Sequence, residues 1–307
     1  MVDESPRHRS SRRTAWRRAR IAGIALAGLL LAAGIAIHVL SERRLQRDYA
    51  LAVDLPAADP ALAAEGARLA RSRGCADCHG EDFGGRLVAD EMPFARLVGS
   101  NLTRMPEGRE PREMHARMYL ALHHGVDLES RPLLMMPSAS FAKLSAHEIE
   151  ALSAYFASLA PVGRALPDSA LGPLGRLLLV AGKLPGFLSA EAIDHARAPV
   201  AQPPPLGTLA YGRHAAQLCT GCHASDFGGG RLPPAANLTP HATGLGAWSE
   251  RDFVTAMRSG RRPDGSAIDP AAMPWRAVGA ASDAELHSIW LYLRSLPPVE
   301  RSAPAPR

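Results

Sequence analysis

The sequence predicts an all-α protein: one membrane-spanning helix near the N-terminus, followed by two copies of a single helical domain. Three observations predict it. An uncharged apolar run covers 21–40, a set of short motifs occurs twice in one order, and the segments between the motifs carry helical rather than alternating periodicity.

The apolar run comes first. Its twenty residues contain no formal charge and only His38 as a titratable group, the length of a helix that crosses the hydrocarbon layer. Seven arginines precede it (Arg7, Arg9, Arg12, Arg13, Arg17, Arg18, Arg20) and three follow it (Arg43, Arg44, Arg47). That bias places the tail, 1–20, in the cytoplasm and the body beyond the inner membrane, in the periplasm. A cleaved signal peptide is the competing reading. The run is long for a signal h-region, and Val39-Leu40-Ser41-Glu42-Arg43 is a poor cleavage site, so the expectation is an uncleaved single-pass anchor at 21–40.

The net charge of +5 belongs to the same end. Ten arginines and four acids lie in 1–49, which leaves 25 basic and 26 acidic residues in the remainder. A near-neutral body carries no nucleic-acid footprint.

Beyond a linker at 41–58 the chain repeats itself. Cys75-Ala76-Asp77-Cys78-His79 recurs as Cys219-Thr220-Gly221-Cys222-His223, and Asp82-Phe83-Gly84-Gly85 as Asp226-Phe227-Gly228-Gly229. Asn101-Leu102-Thr103 recurs as Asn237-Leu238-Thr239, and Met136-Pro137 as Met273-Pro274. Each Met stands 19 residues before a tyrosine, Tyr155 or Tyr292. The landmarks define two domains, 59–162 and 207–300, with a tail at 301–307. A unit of this length occurring twice is a duplication, not a solenoid.

Helices are expected at 61–73 and 210–218, leading into the cysteine motifs, and at 111–124 and 249–259 in mid-domain. Two more, 145–159 and 282–296, begin with Ser145 and Ser282, each followed three residues later by Glu148 or Glu285, the capping-box spacing. No convincing strand pattern is present. The linker 163–206 ends in Pro203-Pro204-Pro205 and holds an apolar stretch, 171–184, too short to span a bilayer. It reads as a short helix packed on the domains, with an interfacial or partner-docking role as the other reading.

All four cysteines lie in the two Cys-x-x-Cys-His motifs. This spacing suits covalent haem: two thiols add to the two vinyl groups, and the following His reaches the iron. A disulfide in each motif would not require the His. A four-cysteine zinc site would need the pairs closer in sequence, and a thioredoxin-like motif would need a βαβ setting. The expectation is two covalently bound haem c groups, on Cys75, Cys78 and His79 and on Cys219, Cys222 and His223.

Met136 and Met273 are the candidate sixth ligands, because thioether sulfur favours reduced iron and raises the potential. Met257 reads as core, and Met135, beside Met136, falls out of the repeat register. A buried Met is ordinarily core filler, but Met-Pro recurs at one distance from the last helix. His115, His123 and His124 are rival ligands in the first copy; the matching helix of the second offers no His, and their plain reading is buried or polar helix positions.

At these residues the chain resembles the class I c-type cytochromes, and more narrowly the membrane-bound cytochrome c proteins that partner periplasmic dehydrogenases. Ala236-Asn237-Leu238-Thr239-Pro240, Thr243 to Ser249 with Trp248, and Met273-Pro274-Trp275 carry the sharper likeness. The resemblance covers roughly 59–162 and 207–300. It implies that first and last helices cross at Gly66 and Gly212 with Tyr155 and Tyr292 packed there, that Asn101 and Asn237 lie near the haem edge, and that Trp248 and Trp275 line the pocket. It also implies that the Pro234 carbonyl supports the His223 ring. Ala224 stands where the family has Gly. The first copy carries eight more residues between its cysteine motif and Asn101, and has no counterpart of Trp248.

The resulting expectation is electron transfer from a dehydrogenase or quinol-oxidising complex to an oxidase or soluble cytochrome. Two haems each closed by His and Met leave no open iron for substrate. A two-haem peroxidase, which needs an iron that opens, and a cytochrome subunit of an oxidase or dehydrogenase complex are the alternatives.

Overall fold

A computed structural model of the chain describes residues 6–103, 111–230 and 235–300. Helix α1 (Pro6–Leu45) contains, from Trp16 to Leu45, one stretch long and apolar enough to cross a membrane, with none of its apolar window buried by protein. Its last turn is different. Ser41 is buried, Arg176 donates to Ser41 Oγ at 2.9 Å and to Glu42 at 2.7 Å, and Arg44 pairs with Glu191 at 2.6 Å. The exit of the apolar helix is therefore tied to the body by charged side chains.

The first repeat contains α2 (Ala63–Ser72), the one-turn α3 (Cys75–His79), strands β1 (Arg86–Glu91) and β2 (Ala95–Gly99), α4 (Met114–Tyr119), α5 (Ser138–Phe141) and α6 (Ala146–Ser158). Strand β3 (Ala170–Leu171) and α7 (Pro173–Val180) follow. The second repeat contains α8 (Leu209–Ala216), α9 (Thr220–His223), α10 (Glu250–Ser259), α11 (Trp275–Gly279) and α12 (Asp283–Ser295).

The last helix of each repeat starts where its serine predicts. Ser145 accepts from the Glu148 N–H while the Glu148 carboxylate accepts from the Ser145 N–H, and Ser282 and Glu285 repeat the exchange. Ser249 caps α10 in the same way through Asp252. The helices then cross at glycine. A Cβ on Gly66 would overlap the Ala151 carbonyl and lie 2.7 Å from Tyr155 Cβ; one on Gly212 would overlap the Ser288 carbonyl and lie 2.9 Å from Tyr292 Cβ. Only a residue without a side chain lets α2 meet α6, and α8 meet α12, at backbone distance. Each crossing closes over its own apolar core, one around Leu69, Ile149, Leu152 and Phe156, the other around Tyr211, Leu286, Trp290 and Leu293.

Two details differ from expectation. The protein is mostly helical but not all-α: β1 and β2 form an antiparallel hairpin, Arg86 opposite Gly99 and Glu91 opposite Ala95, and β3 extends it beside Ala95 and Arg96. The hairpin occupies the segment where the first repeat is eight residues longer. Its strands are five and six residues long, and only β2 alternates cleanly, with Ala95, Leu97 and Gly99 inward. The expected helix at 111–124 is α4 followed by a wide turn, Leu120–His124, closed by Gly125 in the left-handed region. On one side the apolar stretch 171–184 is packed: Leu171 and Leu179, with Phe187 and Leu188 just beyond it, share a small core with Ala95 and Leu97 of the hairpin.

Candidate haem-attachment sites

Each cysteine motif is wound into a single turn, α3 or α9 with the residues just before it. The turn puts the two cysteines on one side and directs the histidine inward. His79 and His223 are buried, and neither cysteine pair forms a disulfide. Burial lowers the pKa of both rings and keeps them neutral, against the opposing pull of a carbonyl on each. Burial likewise pushes the Cys75 thiol up to about 12 and the Cys219 thiol up to about 11, so both sulfurs sit against apolar protein.

Those carbonyls orient the rings. His79 Nδ1 lies 2.7 Å from the Ser100 oxygen and His223 Nδ1 lies 2.7 Å from the Ala236 oxygen. A carbonyl only accepts, so Nδ1 must carry the proton, and Nε2 is left as a lone pair directed away. Among the described residues the partner of His223 is the Ala236 carbonyl; Pro234, to which the resemblance gave this role, lies outside them. The residue before the repeated Asn supplies the oxygen in both repeats, because the loop is fixed there. Asn101 donates to the Val162 carbonyl at 2.7 Å and accepts from the Thr103 N–H and hydroxyl; Asn237 donates to the Val299 carbonyl at 2.7 Å and accepts from the same two groups of Thr239. Both asparagines clip the loop to the chain that leaves the last helix.

The Asp-Phe-Gly-Gly motifs, whose repetition alone gave no role, complete the turn. Phe83 and Phe227 adopt positive φ, and their carbonyls accept from Leu102 and Leu238 at 2.9 and 2.8 Å. Their rings meet Tyr155 and Tyr292 edge-on at 5.7 and 5.6 Å, which fastens each motif to a helix crossing. At the helix end Gly80 (φ 82°, ψ 157°) matches Ala224 (φ 62°, ψ 166°), a backbone region suited to glycine.

Met136 packs on the first core and Met273 on the second, both partly buried, whereas Met135 is 43% exposed. Trp275 donates its ring N–H to the Ile268 carbonyl at 3.0 Å and covers Gly260, while Trp248 packs on the same core. The three rival histidines turn toward other segments. His115 meets the Pro56 carbonyl, His123 the Arg197 carbonyl, and His124 stacks on His195. Among the described residues no cluster of three or more His, Cys, Asp or Glu could hold a bare metal ion.

The two repeats meet near these motifs. Ser140 of α5 lies beside Gly221, Ala277 of α11 lies beside Gly74, and Leu218 packs on the first core. Two side-chain pairs are exchanged across the seam: an ion pair of Arg68 of α2 with Glu285 of α12, and a hydrogen bond of His214 of α8 with Glu148 of α6 at 2.7 Å. Gly66 and Gly212 put Arg68 and His214 at the same place in their repeats. Each carboxylate also keeps a partner on its own side, Arg73 for Glu148 and the Tyr211 hydroxyl for Glu285. Burial would raise the Glu148 carboxyl, but the His214 hydrogen bond and the Arg73 charge outweigh it and hold the pKa at about 2.

Residues 63–160 match the cytochrome c family model. This segment is a cytochrome c domain. The chain is also similar to the cytochrome c subunit of quinone alcohol dehydrogenase from Gluconacetobacter polyoxogenes, 31% identical over 286 residues, covering 80% of this chain and 58% of the relative. The gluconate 2-dehydrogenase cytochrome c subunit of Pantoea cypripedii is 30% identical over 273 residues, covering 78% and 60%. A nicotinate dehydrogenase component of Pseudomonas putida matches over 150 residues at 31%, covering 43% and 13%. The chain therefore spans somewhat over half the length of the two cytochrome subunits. It is homologous to dehydrogenase cytochrome c subunits, which implies electron transfer and covalently bound haem c.

Proposed function

We propose that the chain is a membrane-anchored, two-haem electron-transfer subunit that takes electrons from a periplasmic dehydrogenase and passes them on to an oxidase or a soluble cytochrome. Cys75 and Cys78 would bind one haem and Cys219 and Cys222 the other, with His79 and Met136, and His223 and Met273, as axial ligands. The observation that carries the reading is the repeated clamp: in both repeats a main-chain carbonyl takes the Nδ1 proton of the motif histidine and leaves Nε2 for iron. A second cytochrome c domain at 207–300 follows from the same matching of clamp, asparagine clip and glycine crossing.

When bound, haem supplies a reversible one-electron couple. The chain's residues supply the rest. The histidines are held neutral and oriented, Met136 and Met273 pack on the two cores, and the exchanged side-chain pairs hold one repeat against the other. A dehydrogenase partner is supported by the relatives' names. Retention of α1 as an anchor is supported by its exit turn, where Ser41, Glu42 and Arg44 are structural contacts.

Intact mass of the mature chain tests the count and the anchor together. Two covalent haems on a polypeptide that retains residues 16–40 are expected. In a Cys219→Ala, Cys222→Ala double variant one haem should remain; a single haem in the parent would overturn the two-site reading.

A further inference from the structure

Helix α7 leaves an apolar face uncovered. Pro173, Leu174, Leu177 and Ala181 follow one another at helical spacing and are all exposed, Leu174 by 45% and Leu177 by 44%. The opposite side is committed to the fold: Leu179 is in the small core, and Arg176 binds Ser41 and Glu42. The hairpin tip adds to the open face. The Leu174 N–H donates to the Pro93 carbonyl at 3.2 Å, and neighbouring Met92 is 51% exposed.

Position tells what covers this face. Arg44, whose side chain reaches the last turn of α7 at the Leu179 carbonyl, stands four residues beyond the end of the apolar run. At about 1.5 Å per residue that is about 6 Å of helix, within a headgroup layer about 5–8 Å deep. The exposed Arg43 beside the exit and Lys183 just after α7 supply the positive flank that suits anionic headgroups. We propose that the open face of α7, with Met92 at the hairpin tip, rests on the lipid surface beside α1 and fixes the orientation of the cytochrome body on the membrane. This rests on α1 being a retained anchor.

The test uses the full-length, haem-loaded protein in vesicles of phosphatidylethanolamine and phosphatidylglycerol. Single variants Leu174→Cys and Leu177→Cys carry a nitroxide label, with Leu30→Cys on α1 and Leu209→Cys on the second repeat as references, each checked for unchanged haem content. Collision with lipid-soluble oxygen is compared with collision with a water-soluble nickel chelate. Labels at 174 and 177 should favour oxygen several-fold over the label at 209, as the label at 30 does. Aqueous labels at 174 and 177 beside a lipid-bound label at 30 would overturn the surface and leave the anchor standing. An aqueous or lost label at 30 with lipid-bound labels at 174 and 177 would support the surface while the anchor reading fails. Shielding from both reagents, seen only with a co-purified dehydrogenase, would assign the face to a protein partner and overturn the proposal.

Discussion

Substituting Glu148→Gln isolates the charge of one buried carboxylate. Glutamine keeps the side-chain acceptor that closes the capping box with Ser145, so α6 still starts correctly. What it removes is the counter-charge for Arg73 and the acceptor charge for His214. The pKa of Glu148 is held at about 2 against an ordinary 4.5; at about 1.4 kcal/mol per unit, the folded state prefers the carboxylate by about 3 kcal/mol. That agrees with the 3–5 kcal/mol typical of breaking one side of a buried pair. Because the folded pKa is depressed, the contribution is complete above about pH 4.5 and fades as the pH falls toward 2. Guanidinium unfolding of the haem-loaded protein, followed by far-ultraviolet circular dichroism, should show Glu148→Gln about 3 kcal/mol less stable at pH 7, with the gap narrowing below pH 4.5. A gap under about 1 kcal/mol at pH 7, or one unchanged at pH 3, would refute the reasoning.

Other perturbations probe the remaining structure. Ala224→Gly relieves a non-glycine residue at φ 62°, ψ 166° and should stabilise the protein by about 1–2 kcal/mol in the same assay. Gly212→Ala drives a methyl into the Ser288 carbonyl; a loss of about 2–3 kcal/mol is expected, and urea melts that match the parent would contradict the crossing. Met273→Ala should abolish the weak near-infrared sulfur-to-iron band of one haem, and persistence of that band at full strength would remove Met273 as the ligand.

Where a residue's role follows from its own side chain, the sequence reveals it. The capping serines and the paired motif histidines His79 and His223 are legible from spacing and repetition, and the crossing glycines Gly66 and Gly212 from the family resemblance. Where the main chain does the work, side-chain identity is silent. The oxygen facing His223 comes from Ala236, an unremarkable alanine, and its equivalent is Ser100. Asn101 and Asn237 repeat visibly, and so do their partners, Val162 and Val299, each seven residues past the repeated tyrosine; but these lie some sixty residues from the asparagines and accept through the main chain, so the pairing is not legible. The hairpin escaped because a short insertion with one irregular strand has too few residues for period two to emerge. The links between Arg68 and Glu285 and between His214 and Glu148 depend on how the repeats dock, which periodicity within either repeat does not encode.

Those links also bear on which assemblies the duplicated unit can form. Two first repeats docked in the observed manner would bring both Arg68 and Arg73 to a single Glu148, with Glu65 already 3.7 Å from Arg68. Two second repeats would offer Glu285 only a histidine and a tyrosine hydroxyl. The mixed arrangement alone supplies one arginine to each buried carboxylate, Arg73 to Glu148 and Arg68 to Glu285, and so favours one copy of each repeat joined in a single polypeptide.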